Sequence, residues 1–206
     1  MFDSFSGRSF KRLLKNKIYS KGVLAQIMYV GAQIMCWTYI YQYAEGMGME
    51  SVTAGYYQMA AFIFFTFGRA VGTLLLRFIN SGRLLMVFAI FATISTLGVI
   101  FIGNNIGLYC LVGVSFFMSL MFPTIYGIAL GGLTEDESKI GSAGLVMAIV
   151  GGALMPKLQG MLIDLGGYGV NDITILGVSE VNFSFILPAL CFVYITLFGL
   201  KTSNKK

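Results

Sequence analysis

Gln26, Gln33 and Trp37 interrupt the apolar run AQIMYVGAQIMCWTYIYQY at 25–43. On a helix of 3.6 residues per turn they fall within about 40° of one another, with Val30 between them and Tyr29 and Tyr41 flanking. Two amides can bond hydroxyl groups, and an indole can stack on a flat apolar face. A sugar presents both kinds of surface. An unpaired buried amide costs roughly 2–7 kcal/mol depending on the reference solvent, so a stripe of this kind is unsuited to lipid. It suits either a polar cavity or hydrogen bonding to a neighbouring helix, as polar residues in helical bundles often do.

Other chemistry is thinly represented. There is no histidine, which removes the commonest general base and metal ligand. Cys36, Cys110 and Cys191 sit singly in apolar runs, with neither a metal-ligand nor a disulfide spacing. No metal site is expected, and no cofactor. No Asp or Glu lies in the middle of an apolar run, whereas proton relays normally need one. Without a nucleophile elbow or paired carboxylates, an enzyme is not expected.

The elements that must position these residues follow from composition. Of 206 residues, 57% are hydrophobic and 11% charged, with mean hydropathy +0.80. Soluble domains carry about 25% charged residues, so the chain reads as an all-α, multi-pass membrane protein. No cleavable signal peptide is expected, because a long basic segment precedes a first run long enough to span. Stretches of about 20 apolar residues predict six transmembrane helices at 22–44, 53–76, 84–103, 107–130, 140–164 and 182–201. Residues 1–21 form a basic segment and 202–206 a tail.

Twelve of the fourteen Lys and Arg residues fall on one side of these spans, and the opposite loops carry Glu45, Glu50, Asp172 and Glu180 with no cation. The positive-inside rule then places both termini in the cytoplasm. The segment FKRLLKNKIYSK (10–21) has Phe10, Leu13, Leu14 and Ile18 at helical spacing. An interfacial helix fits that pattern, but a topology determinant explains its charge more simply, and nucleic acid is not an expected partner.

Further positions in the spans carry structural information. Pro123, in FFMSLMFPTIYGIAL, removes a backbone donor and frees the Ser119 carbonyl, so the fourth span should bend. Thr124 and Tyr126 are the polar candidates beside that bend. Gly144, Ala148 and Gly152 repeat every four residues as a packing ridge. Met147 and Gln159 could face either a cavity or a helix. Arg69 lies about 12 Å inside the second span and is expected to anchor that helix through a carbonyl or carboxylate. Lys157 is expected to reach the outer interface.

AQIMYVGAQIMCWTYI, GRAVGTLLLRF, FMSLMFPTIYGIAL, GSAGLVMAIVGGALMP and NFSFILPALCFVYI, in that order, resemble the C-terminal half of the L-fucose–proton symporter group, which includes glucose and galactose permeases, in the major facilitator superfamily. The resemblance implies a twelve-helix fold of two six-helix halves around a central cavity, with the substrate near the midplane. This chain would supply the C-terminal half in a bacterial inner membrane. Gln26, Tyr29, Gln33, Trp37, Thr124 and Tyr126 would line the monosaccharide site. Arg69, Pro123, Gly144, Ala148, Gly152 and Pro156 would serve structure or gating. Protons would be the coupling ion, through carboxylates of an N-terminal six-helix half. Phe122 replaces a tyrosine that the fucose branch carries before Pro-Thr-Ile, which removes a phenol hydrogen bond. Lys157 replaces an apolar residue or proline. The alternative is a stand-alone six-helix protein acting as a homodimeric facilitator or a non-transporting partner.

Overall fold

The computed structural model describes residues 12–203 except 14 and 168–172; Phe10, Leu14 and Asp172 lie outside the described residues. Among the described residues six helical spans are long and apolar enough to cross a membrane: Lys17–Glu45, Ser51–Leu75, Ser81–Ile102, Asn105–Leu130, Glu135–Gly166 and Glu180–Ser203. Most extend past the expected apolar limits because polar caps, not the hydrocarbon boundary, end them. Asn16 accepts hydrogen bonds from the backbone N–H groups of Ile18 and Tyr19 at 3.0 and 3.3 Å. That cap starts α1 (Lys17–Thr38) inside the basic segment. Residues 17–21 are therefore helix continuous with the first span. The start of α4 (Ser81–Ile102) is capped by Asn80, and that of α5 (Asn105–Met118) by Asn104. Thr134 and Glu137 form a reciprocal capping box on α7 (Glu135–Met147), a pairing that satisfies two otherwise orphaned donors.

The remaining elements are α2 (Ile40–Glu45), α3 (Ser51–Leu75), α6 (Met121–Leu130), α8 (Gly151–Ile163), α9 (Glu180–Ser184) and α10 (Ile186–Ser203). A 3₁₀ turn at Ala148–Val150 joins α7 to α8. The long connection between the fifth and sixth spans carries a short antiparallel hairpin, β1 (Thr174–Ile175) with β2 (Val178–Ser179), which the sequence did not signal.

Association inside a bilayer has little hydrophobic driving force, so close approach of small residues decides packing. The α4–α10 pair illustrates this. A Cβ at Gly82 would stand 2.7 Å from the Ser203 backbone nitrogen, and one at Gly199 would stand 2.8 Å from that of Met86. Ala54, Ala61, Gly68 and Gly72 are the buried residues of α3, which packs mainly on α5. α1 occupies the middle, touching α6, α8 and α10. The second and fifth spans stand at the edges with much of their surface uncovered.

Candidate functional site

The centre of the bundle is built from α1 and the broken fourth span. Ser119 and Leu120 separate α5 from α6, four and three residues ahead of Pro123. The proline cannot donate to the Ser119 carbonyl. Arg69 Nε donates to it instead, at 3.3 Å, from the second span. The guanidinium also lies 5.3 Å from the centroid of Phe65, a cation–π distance. Access for Arg69 comes from its neighbour: a Cβ at Gly68 would stand 2.7 Å from Ser119 Oγ.

The α1 stripe divides by depth. Gln26 is completely buried, and neither its amide oxygen nor its nitrogen has a hydrogen-bond partner. Tyr29 is equally buried, with its hydroxyl unpartnered, and meets Phe122 edge-on at 6.1 Å. Thr124 is buried and its hydroxyl donates to the Leu120 carbonyl at 2.7 Å. These three side chains lie behind the surface even though the chain stands alone. The half-exposed members of the set are Gln33, Trp37 and Tyr126. Tyr126 stacks on Phe122 at 6.4 Å and 13°, so Tyr29, Phe122 and Tyr126 form one aromatic surface joining α1 to α6.

Trp37 is committed to the bundle on several sides. Its indole N–H donates to Ser115 Oγ at 3.2 Å, and its ring meets Phe62 and Phe65 edge-on at 4.9 and 5.1 Å. The ring remains partly open, but its polar handle is already used. Sequence reasoning missed Ser115, Phe62 and Phe65. Phe62, Phe65 and Arg69 recur at helical spacing, which was the available signal. It also missed Gln42 and Gln58, whose buried carbonyl oxygens have no partner.

The ridge on the fifth span meets α1. Gly152 lies against Val30 and Ile34, with a Cβ there 3.1 Å from each, and Ala148 is buried. Gly144 packs under the Tyr19 ring. Tyr39 donates to the Pro156 carbonyl at 2.7 Å. Gln159 is buried and donates to Ser184 Oγ at 3.0 Å, so it faces the sixth span rather than a cavity. Lys157 is exposed, and among the described residues it has no ion pair with Asp164. At the other end of the bundle Arg12 pairs with Glu137 at 3.3 Å, and Leu13 is buried against Tyr19, Ala129 and Leu145. Among the described residues no cluster of His, Cys, Asp or Glu could hold a metal ion.

No family model matches the chain. It is 52% identical over 190 residues to the L-fucose-proton symporter of Haemophilus influenzae, covering 92% of this chain and 42% of that protein. Identity to the L-fucose-proton symporter of Escherichia coli is 34% over 198 residues, covering 95% and 42%. A glucose/galactose transporter of Brucella abortus is 29% identical over 188 residues, covering 87% and 41%. The crystal structure of a major facilitator superfamily transporter, FucP, in the outward conformation superimposes with a TM-score of 0.84 at 32% identity, covering 96% of this chain and 45% of that one. The chain spans a little under half the length of the relatives it matches.

Proposed function

Because the chain is a six-helix half of the major facilitator superfamily fold, we propose that it forms one side of the substrate cavity of a proton-coupled symporter for L-fucose or a related monosaccharide. In this reading it is the C-terminal half, and an N-terminal six-helix half completes the cavity and supplies the coupling carboxylate. The observation that carries the proposal is that Gln33, Trp37 and Tyr126, on the two central spans, are half-exposed. An amide, an indole and a phenol together offer hydrogen bonds and flat apolar faces, the two surfaces a pyranose presents. Gln26, Tyr29 and Thr124 form the layer behind that wall and set its shape.

The one-sided Lys and Arg distribution supports cytoplasmic termini in a bacterial inner membrane. A cysteine at Leu176, at the hairpin tip, should react with an impermeant maleimide from the outside, and one at Ser203 only from the inside. Reaction of both from one side overturns this orientation.

The test of function is uptake by vesicles. The chain together with the N-terminal half of the Haemophilus influenzae relative should accumulate L-fucose under a proton gradient, and the chain alone should not. One elementary charge crossing 100 mV is worth about 2.3 kcal/mol, and the spans here hold no mid-membrane carboxylate to couple to it. Gradient-driven accumulation by the chain alone, or none by the pair, overturns the proposal.

A further inference from the structure

The end of the bundle that carries the cations contains a cleft of about 450 Å³ between the ends of α1, α4, α6 and α10. Its lining combines the apolar side chains of Ile18 and Ile128 with the polar ones of Asn80, Ser81 and Thr202. Backbone forms much of the remaining wall. Gly127 and Gly132 line the cleft, and no atom lies within 4 Å of where a Cβ would stand at either. The space exists because these two positions carry no side chain.

Four exposed cations neighbour the cleft's lining residues along the chain. Lys17 adjoins Ile18, Lys21 lies one turn further along α1, Arg83 follows Gly82 and Lys201 precedes Thr202. Among the described residues the ion pairs are Arg12–Glu137 and Lys139–Glu135, so none of the four is neutralised by a carboxylate. A comparable cleft of about 310 Å³ at the opposite end, between Tyr43, Phe101 and Asn182, has no Lys or Arg in its neighbouring loops. Hydroxyl and amide groups in the lining, with unpaired cations next to them in the chain, match the phosphate and glycerol of an anionic headgroup.

We propose that this cleft holds the headgroup of an anionic phospholipid of the cytoplasmic leaflet. Cations beside an anionic bilayer surface contribute up to roughly fivefold each in affinity, so Arg83 and Lys201 suffice for a tenfold preference. An uncharged or zwitterionic headgroup would leave the unpaired cations uncompensated. The proposal rests on the orientation given above, which puts these cations on the cytoplasmic side, and not on the sugar site.

The full chain, purified in detergent, is mixed with equal amounts of phosphatidylglycerol and phosphatidylcholine, and retained lipids are counted by native mass spectrometry. One phosphatidylglycerol should be retained with about tenfold preference. Gly127→Leu fills the cleft, Ser81→Trp covers its polar lining, and Arg83→Gln with Lys201→Gln removes charge. Each should reduce that preference to near unity while the thermal midpoint shows a folded protein. The Ser81 variant decides the matter if the Gly127 variant does not fold. Loss on charge removal but not on filling or covering would mean diffuse surface attraction and overturn the site. Displacement of the lipid by millimolar inorganic phosphate would mean a free-phosphate site and overturn it as well. Sugar is absent throughout, so failure of the transport reading leaves this result unchanged.

Discussion

The second and fifth spans bury 17% and 22% of their most apolar windows, the third and sixth 39% and 50%, and the third and sixth are also the more apolar pair. What separates the two pairs is the character of the surface each leaves uncovered. The uncovered side chains of the third span, such as Ile94 and Phe101, suit a lipid solvent. Those of the second and fifth include Thr66, Arg69, Thr73 and Lys157 among the apolar residues. That surface is better matched to protein or to a water-filled cavity than to acyl chains. In the two-half arrangement proposed above, the second and fifth spans are the ones whose uncovered surface meets the other half.

The largest expected effect is all-or-none. In a Cys110→Ser background, with the N-terminal half of a relative present, Met147→Cys on the fifth span should react with a water-borne maleimide. Ile94→Cys, at similar depth on the third, should not. Reversed labelling would erase the distinction between the two pairs of spans. Next in size is the contact that holds the fifth span by one edge. A Cβ at Gly151 would run into the Ile27 carbonyl oxygen, whereas one at Gly113 meets nothing within 4 Å. Gly151→Val should cost about 3 kcal/mol of stability and Gly113→Ala almost nothing, as read from thermal midpoints in detergent.

Arg69→Met sharpens the comparison on the second span. It leaves the Ser119 carbonyl without its donor, and hydrogen bonds to charged groups contribute about 1.5–3 kcal/mol. The thermal midpoint should fall accordingly, and an unchanged midpoint would show that Arg69 serves only the cavity. The smallest pair of effects separates the two depths of α1. Gln33→Ala should weaken sugar binding by about tenfold, one net hydrogen bond, with stability kept. Gln26→Leu should instead raise stability by about 1 kcal/mol, because both its polar atoms are buried without partners. Calorimetry and thermal melts distinguish these outcomes, and a loss of stability in Gln33→Ala would make it a packing residue.

Much of this architecture was legible in the sequence. Six apolar runs became six spans, since helices are among the few structures that satisfy every backbone group in lipid. The bend before Pro123 followed from the missing proline donor, and the anchoring of Arg69, through a carbonyl or a carboxylate, from its depth in the second span. The small-residue ridge was legible as packing for the same geometric reason. What a helical wheel cannot give is depth. It placed Gln26, Gln33 and Trp37 on one stripe, but α6 and α10 cover one part of α1 and leave another open. Trp37 was read as a free stacking surface because nothing in its own span foretells Ser115 or Phe65. The hairpin at Thr174–Ser179 was also hidden, in a loop with no alternating pattern to mark two-residue strands.

The bond between Arg69 and the Ser119 carbonyl joins residues separated by 50 positions in the chain. At synthesis rates of about 5–20 residues per second, the acceptor is made roughly 3–10 s after the donor. The second span thus leaves the ribosome seconds before its charge has a carbonyl to meet. An arginine at the centre of a lone span costs about 2.5–3.5 kcal/mol on the insertion scale. The second span therefore enters the membrane on provisional terms, and its place becomes fixed only when the broken fourth span arrives beside it.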